Sequence, residues 1–518
     1  MHHSRPLPDH RVFDAREPQG DKAFGDLPEW DFSALYAGED DPKLSSDLDA
    51  VAAAATKFAE TYEGKLVGAD GATLGQALME YEHLDLLSNR IMTYAALRYY
   101  QNTTDQGRAK FFSDMQSQLT DISSALVFFT LEMNRIEDDA LKAAFTSDET
   151  FARYKPVIDR MRSMKPYQLS DELEKFLHDQ SVVGASAWNR LFDETMAALT
   201  FDVDGEVLSL EATLDLMSNP DRSRREAGAR ALITVFRENL PLFSRITNTL
   251  AKEKEIEDRW RKMPTPQTYR HLSNHVEPEV VNALRDAVVS AYPRISHRFY
   301  ALKAKWHGLD TLQVWDRNAP LPDEEEVVIQ WTEAKDIVLG AYGEFDPRMA
   351  ELAQPFFSDG WIDAAVKPGK APGAFAHPAS TDSHPFVMLN YLGKRRDVMT
   401  LAHELGHGVH QRLAAGQGEL LSSTPLTLAE TASVFGEMLT FKRLLAAAPD
   451  KKARKALLAS KVSDMINTVV RQIAFYDFEC KLHAARREGE LTPDDINASW
   501  MSVQSESLGP VFEFVDGY

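Results

Sequence analysis

The sequence predicts a mainly α fold with a small β element, and three observations carry that expectation. Apolar residues recur at three- and four-residue spacing through most of the 518 residues. Strand-like patterns are confined to two short stretches, 199–210 and 386–391. No fixed-period repeat is visible, which excludes stacked-repeat architectures.

The elements follow in order. Residues 1–44 are rich in Pro, Asp and Gly and read as an extended arm. Ser45-Ser46-Asp47 can cap a first helix running to about Tyr62. Helical spacing then covers about 73–101, 107–136, 149–163 and 170–197. In 199–210, Leu199, Phe201 and Val203 alternate, and Asp204-Gly205 is a hairpin turn signal. A lobe boundary is placed there, giving an N-terminal helical lobe over 1–198 and a second region over 199–518. Helical spacing returns at about 222–257, 278–307 and 327–342. The least helical segment is 359–395, where glycines and prolines interrupt a short strand, Phe386 to Tyr391. Helices then cover about 396–415, 427–447, 451–488 and 493–508.

Composition narrows the function. The net charge is −22, from 57 basic and 79 acidic residues, which argues against a nucleic-acid partner. The single cysteine, Cys480, excludes an internal disulfide framework and a cysteine-based zinc site. No run of 18 apolar residues is present, so no membrane span is expected. The N-terminus shows no secretory h-region, and the expected location is the cytoplasm.

The chemistry sits in Thr400-Leu401-Ala402-His403-Glu404-Leu405-Gly406-His407-Gly408-Val409-His410. Here H-E-x-x-H puts His403 and His407 one helical turn apart on one face, where two imidazoles can hold one Zn²⁺. Glu404 lies beside them, placed to take a proton from a water acidified by the metal. Chance gives about 0.03 such matches in a chain of this composition. Leu401, Leu405 and Val409 supply a separate apolar flank, and Gly406 and Gly408 leave room for a backbone or a ligand. A hydrolytic zinc site needs a third protein ligand. The continuation Gln411–Leu413 excludes the H-x-x-G-x-x-H pattern. Glu430, in the first turns of the next helix, is the expected third ligand, carried back by a helical hairpin. Glu437, two turns later on the same face, and Asp397, six residues before His403, are candidates to support a ligand histidine from behind. His410 reads as a lining or packing residue, and His377 and His384 as loop histidines.

At HELGH followed by Leu428-Ala429-Glu430-Thr431-Ala432-Ser433-Val434-Phe435-Gly436-Glu437, the sequence resembles oligoendopeptidase F and its thimet oligopeptidase relatives, a family of zinc peptidases. Gly373-Ala374-Phe375 and His384 to Tyr391 resemble the family's glycine loop and edge strand, and Arg471 to Phe475, Phe478-Glu479 and His483 resemble a family helix. Trp30 to Tyr36, Tyr99 to Asp105, and Gly308-Leu309-Asp310 with Asp316 fit as well, so the resemblance covers nearly the whole chain. It implies a two-lobed, nearly all-helical fold with a deep channel that admits short unstructured oligopeptides and excludes folded proteins. It assigns one zinc per chain to His403, His407 and Glu430, and the general base to Glu404. Family members continue past a segment like Pro510 to Phe514 into a His/Tyr-rich stretch that binds the substrate carbonyl. This sequence stops at Tyr518, and no residue in it is given that part.

The expected function is therefore a zinc endopeptidase acting on short oligopeptides. Two alternatives stay open: an exopeptidase, and a zinc-holding peptide-binding protein of low or no activity. The expected substrate wall is the strand Phe386, Val387, Met388, Leu389, Asn390 and Tyr391, with one edge unpaired and facing the metal. An extended peptide would add there as an extra strand. The loop around Gly369 and Gly373 would border the same cleft.

Overall fold

The computed structural model of the chain describes residues 24–322, 327–367 and 369–517. Its first helix runs Pro42–Tyr62, and the Asp41 side chain accepts from Lys43 N at its start. The expected cap at Ser45 to Asp47 therefore lies inside the helix. Asp-Pro is the stronger start signal, because proline lacks the N–H that a first turn leaves unbonded. Residues 1–23 of the expected arm lie outside the described residues. The remainder is fastened down: Trp30, Leu35 and Tyr36 are buried, and Trp30 Nε1 donates to Val387 O at 2.9 Å.

The long periodic stretches divide more often than spacing alone suggests. The stretch 107–136 is two helices, Gln106–Ser124 and Val127–Arg135, and 149–163 is Glu149–Arg153 and Lys155–Arg162. The stretch 170–197 divides near Gly184 into Asp171–Gln180 and Ala185–Ala198. The stretch 278–307 divides near Pro293 into Pro278–Ala291 and Ser296–Trp306. A π turn, Asn467–Arg471, joins Lys451–Ile466 to Gln472–Glu488. Conversely, 222–257 extends into one 40-residue helix, Arg222–Arg261. Helices Asp138–Ser147 and Pro347–Ser358 were not among the expected elements.

Among the described residues, seven short strands accompany the helices: β1 (Phe201–Val203), β2 (Glu206–Leu208), β3 (Leu312–Gln313), β4 (Ile362–Asp363), β5 (Phe375–His377), β6 (Phe386–Met388) and β7 (Phe512–Glu513). The hairpin β1–β2 turns at Asp204 (φ 56°) and Gly205 (φ 87°), the pair of left-handed residues that a two-residue hairpin turn requires. β3 pairs with β7 in parallel.

The three-stranded sheet positions the site, and it corrects one expectation. Its order is β4-β6-β5, so the strand expected to offer a free edge is the central one. Val387 N, Leu389 N and Tyr391 N donate to Trp361 O, Asp363 O and Ala364 O at 2.8–2.9 Å on the β4 side. On the other side β6 runs antiparallel to β5, with Phe375 opposite Met388 and His377 opposite Phe386. Both faces are covered too. Phe386 and Met388 enter the core built by the N-terminal helices, while Val387, Leu389 and Tyr391 enter a second core around helix Arg395–Ala415. An uncharged apolar run suits a strand buried on every side, and here burial leaves no template edge on β6.

Candidate metal centre

Helix Arg395–Ala415 carries the H-E-x-x-H motif. Its start is held by Asp397, whose Oδ2 accepts from Leu392 N at 2.8 Å and Lys394 N at 3.0 Å. Burial pushes the Asp397 carboxyl above the usual range, although those two N–H groups oppose the shift. Asp397 thus serves the entry turn of the helix, and its bonded oxygen does not reach a histidine. Val398, Leu401, Ala402, Leu405 and Val409 are buried along one flank. Each large apolar side chain so buried contributes roughly 1.5–3 kcal/mol, enough to hold a helix weakened by two glycines.

Those glycines determine how closely the neighbours approach. A Cβ on Gly406 would lie 2.6 Å from Ala432 O and 2.7 Å from Ser433 Cα, so the next helix, Leu426–Ala447, runs almost against this backbone. Gly436 answers from that helix: a Cβ there would lie 3.0 Å from Ala402 O. At Gly408 the neighbour is the Phe356 ring, supplied by the unexpected helix Pro347–Ser358. The glycine-mediated approach lets a short glutamate side chain span the gap between the two helices.

That glutamate is Glu430. Its Oε2 lies 3.2 Å from His403 Nε2 and its Oε1 lies 3.7 Å from His407 Nε2. Ligand atoms of His403, His407 and Glu430 all fall within 4.8 Å of one another, the one such histidine–carboxylate group among the described residues. Ser433 Oγ donates to Glu430 Oε2 at 2.7 Å and fixes the carboxylate. Burial opposes the charge on Glu430, but the His403 hydrogen bond and the two imidazoles bring its carboxyl down to about 2. His403 is 5% exposed, while the Glu430 side chain is 51% exposed, so the cluster opens to solvent on the glutamate side.

Behind the imidazole, His403 Nδ1 lies 3.2 Å from Glu437 Oε2. Burial acts against the Glu437 charge, but hydrogen bonds from His403 and Lys461 outweigh it and hold the carboxyl low. An ionised carboxylate only accepts, so Nδ1 carries a proton and Nε2 is the ring nitrogen turned to the cluster. Lys461 Nζ donates to Glu437 Oε1 from helix Lys451–Ile466, and both side chains are about nine-tenths buried. Glu404 is also buried, at 7% exposure. Burial, and after it the charges of Glu404 and Glu437, pushes the Tyr342 hydroxyl up, and that hydroxyl donates to Ala402 O at 2.5 Å.

The expected substrate wall is placed differently. Phe386, Val387 and Met388 are core residues with no exposed surface. Asn390 Nδ2 donates to Ala371 O and Gly373 O at 3.1 and 3.0 Å, closing the glycine loop on itself. Gly373, Leu389, Asn390 and Tyr391 border a small cavity with Asp397 and Thr400 of the motif helix. The outer strand of the sheet on this side is β5, and Gln411 Nε2 of the motif helix donates to Ala376 O at 3.1 Å. His384 is a packing residue, stacked on Trp361 with ring centroids 4.2 Å apart.

Sequence reasoning passed over Lys461, Ser433, Tyr342 and Gln411. Ser433 was within reach, because it lies three residues after Glu430 on the same helical face. Lys461 carries no such signal: a lysine on an amphipathic helix reads as a solvated charge.

Residues 344–515 match the family profile described as peptidase family M3, and residues 132–201 match the one described as oligopeptidase F. Oligopeptidase PepF of Bacillus subtilis is 26% identical over 457 residues, covering 86% of this chain and 68% of the relative. Group B oligopeptidase PepB of Streptococcus agalactiae is 25% identical over 449 residues, covering 84% and 74%. Oligoendopeptidase-F from Enterococcus faecium superposes with a TM-score of 0.65 at 20% identity, over 91% of this chain and 81% of that one. PZ peptidase A, with an inhibitor, superposes with a TM-score of 0.70 at 16% identity, over 92% and 81%. At these identities the superpositions show a shared fold.

Proposed function

The chain belongs to the oligoendopeptidase F / M3 family and is a metallo-oligopeptidase, and from that premise we propose that it is a zinc-dependent endopeptidase cleaving internal bonds of short, unstructured oligopeptides. The observation that carries the reading is the convergence of His403, His407 and Glu430 beside a buried Glu404. Two donors about 2.0–2.1 Å from a tetrahedral ion sit about 3.3 Å apart. The separations of 3.2 and 3.7 Å, one to each Glu430 oxygen, and the 4.8 Å span of the three donors are close to that spacing, within reach of small side-chain rotations. Two imidazoles and one carboxylate are also the donor set of hydrolytic zinc sites that keep a fourth position open.

When bound, zinc would polarise a peptide carbonyl and acidify a water molecule. The protein's own contribution is positional and acid–base. Glu437 fixes the tautomer of His403, and Lys461 holds Glu437 in place. Glu404, as general base, takes the proton of the attacking water and passes it to the departing amide nitrogen. The same reading gives one zinc per chain and a place in the cytoplasm. Among the described residues no helix is long and apolar enough to cross a membrane.

The test uses an oligopeptide blocked at both ends. Mass analysis should find internal fragments with zinc present and none after chelation, with activity restored by zinc. Cleavage that requires a free terminus would replace this reading with an exopeptidase. Stoichiometric zinc with tight peptide binding and no fragments would make the protein a peptide binder.

A further inference from the structure

A second hollow shares no residue with the candidate metal centre. Tyr300, Arg317, Asn467, Arg471, Gln504 and Ser507 are among its walls. They come from helix Ser296–Trp306, the turn after β3, the π turn Asn467–Arg471 and helix Pro493–Leu508. Single π turns occur disproportionately at functional sites.

The hollow is rich in donors without acceptors. Gln504 is 1% exposed, and its Nε2 has no hydrogen-bond partner. Nε and Nη1 of Arg317 are buried without partners as well. An unmatched buried donor costs about 1–3 kcal/mol, so three around one hollow are unusual in a finished core.

Charge points the same way. Asp316, fully buried, is taken by Arg222 at 2.8 Å and Arg225 at 2.9 Å. Lys303, 4% exposed, donates to Arg317 O at 2.5 Å. Burial, followed by the charges of Arg225 and Arg317, drives the Lys303 ammonium down to about 7. No carboxylate among the described residues forms an ion pair with Arg317. In a chain of net charge −22, this is a local excess of positive charge.

The cavity volume is about 10 Å³, room for roughly one water-sized sphere. A monatomic anion needs the least widening of that space, and a tetrahedral oxyanion or an organic carboxylate needs more. A water molecule fits too, but an anion accepts from every unmatched donor at once and also answers the guanidinium charge. We propose that the hollow binds one small inorganic anion of halide size, with chloride as the natural occupant, held by the Gln504 amide and the Arg317 guanidinium.

The experiment uses the full chain in chloride-free gluconate buffer at constant ionic strength, with sodium chloride or bromide exchanged in. Thermal unfolding should shift upward by roughly 2–4 °C and saturate, as single-site binding to the folded state requires. Gln504→Leu and Arg317→Met should each abolish the saturable shift. Crystals grown with bromide should show an anomalous peak between Gln504 Nε2 and Arg317, a readout that survives if either variant fails to fold. A Tm that follows ionic strength alone, identically in wild type and variants, overturns the proposal. So does a water in place of bromide.

Discussion

Two segments less than twenty residues apart make an instructive pair: the strand run 386–391 and the helix turn 403–407. The sequence singles out both as parts of one active site. The structure leaves the helix turn with chemistry to offer and saturates the strand. At the helix turn, the functional groups are side chains. His403 turns Nε2 towards the cluster because Nδ1 is engaged by Glu437. In the strand, the expected function resided in backbone N–H and C=O groups; the β4 side takes one edge, β5 takes the other over Phe386–Met388, and Lys370 Nζ donates to Leu389 O beyond it. Side-chain chemistry at fixed helical spacing survives folding. Backbone availability depends on which neighbours arrive.

Substitutions sharpen the contrast, since helix-turn changes should alter rate and strand changes stability. The largest effect is expected at Glu404. Glu404→Gln should lower turnover by roughly 10²–10⁴ or more while zinc content by atomic emission stays at one per chain. Loss of the metal, or a near-normal rate, would assign Glu404 another role.

Next comes Glu430→Ala, which removes the only carboxylate of the donor set. Its zinc affinity should fall far enough for dialysis against a weak chelator to strip the metal, with activity lost in parallel. Retention of stoichiometric zinc would point to a different third ligand.

Glu437→Gln should act more mildly, lowering zinc affinity or kcat about 10- to 100-fold, the usual range for a residue that orients a ligand histidine. Lys461→Met should follow in the same direction, because Lys461 meets the candidate metal centre through its bond to Glu437. Equal zinc affinity in wild type and both variants would break this chain of support.

The smallest effect on rate is expected in the strand. Met388→Ala should destabilise the fold by about 2–5 kcal/mol in denaturant unfolding, because the side chain is fully buried in the core shared with the N-terminal helices. Its kcat well below the unfolding midpoint should remain near wild type. A large fall in kcat with unchanged stability would return the strand to the substrate-binding surface.

Much of the helical fold was legible because apolar spacing is local, and breaks near Gly184 and Pro293 depend on single residues. The Asp204-Gly205 hairpin was legible for the same reason. The entry of Trp30 against Val387, more than 350 positions along the chain, was not, since nothing local to either residue signals the other.

For the candidate metal centre the sequence by itself determined the two histidines, their shared face and the neighbouring acid, because 3.6 residues per turn decides which side chains stand together. It also nominated Glu430 and Glu437, whose seven-residue separation puts them on one face of the next helix. Only the tertiary structure decided that the two helices lie close enough for Glu430 to reach both imidazoles, through Gly406 against Ala432 and Ser433. It alone recruited Lys461 to Glu437, and it alone made β6 the central strand. These are contacts between elements distant in the chain, fixed by packing volume and hydrogen-bond pairing, and neither quantity can be read from residue spacing.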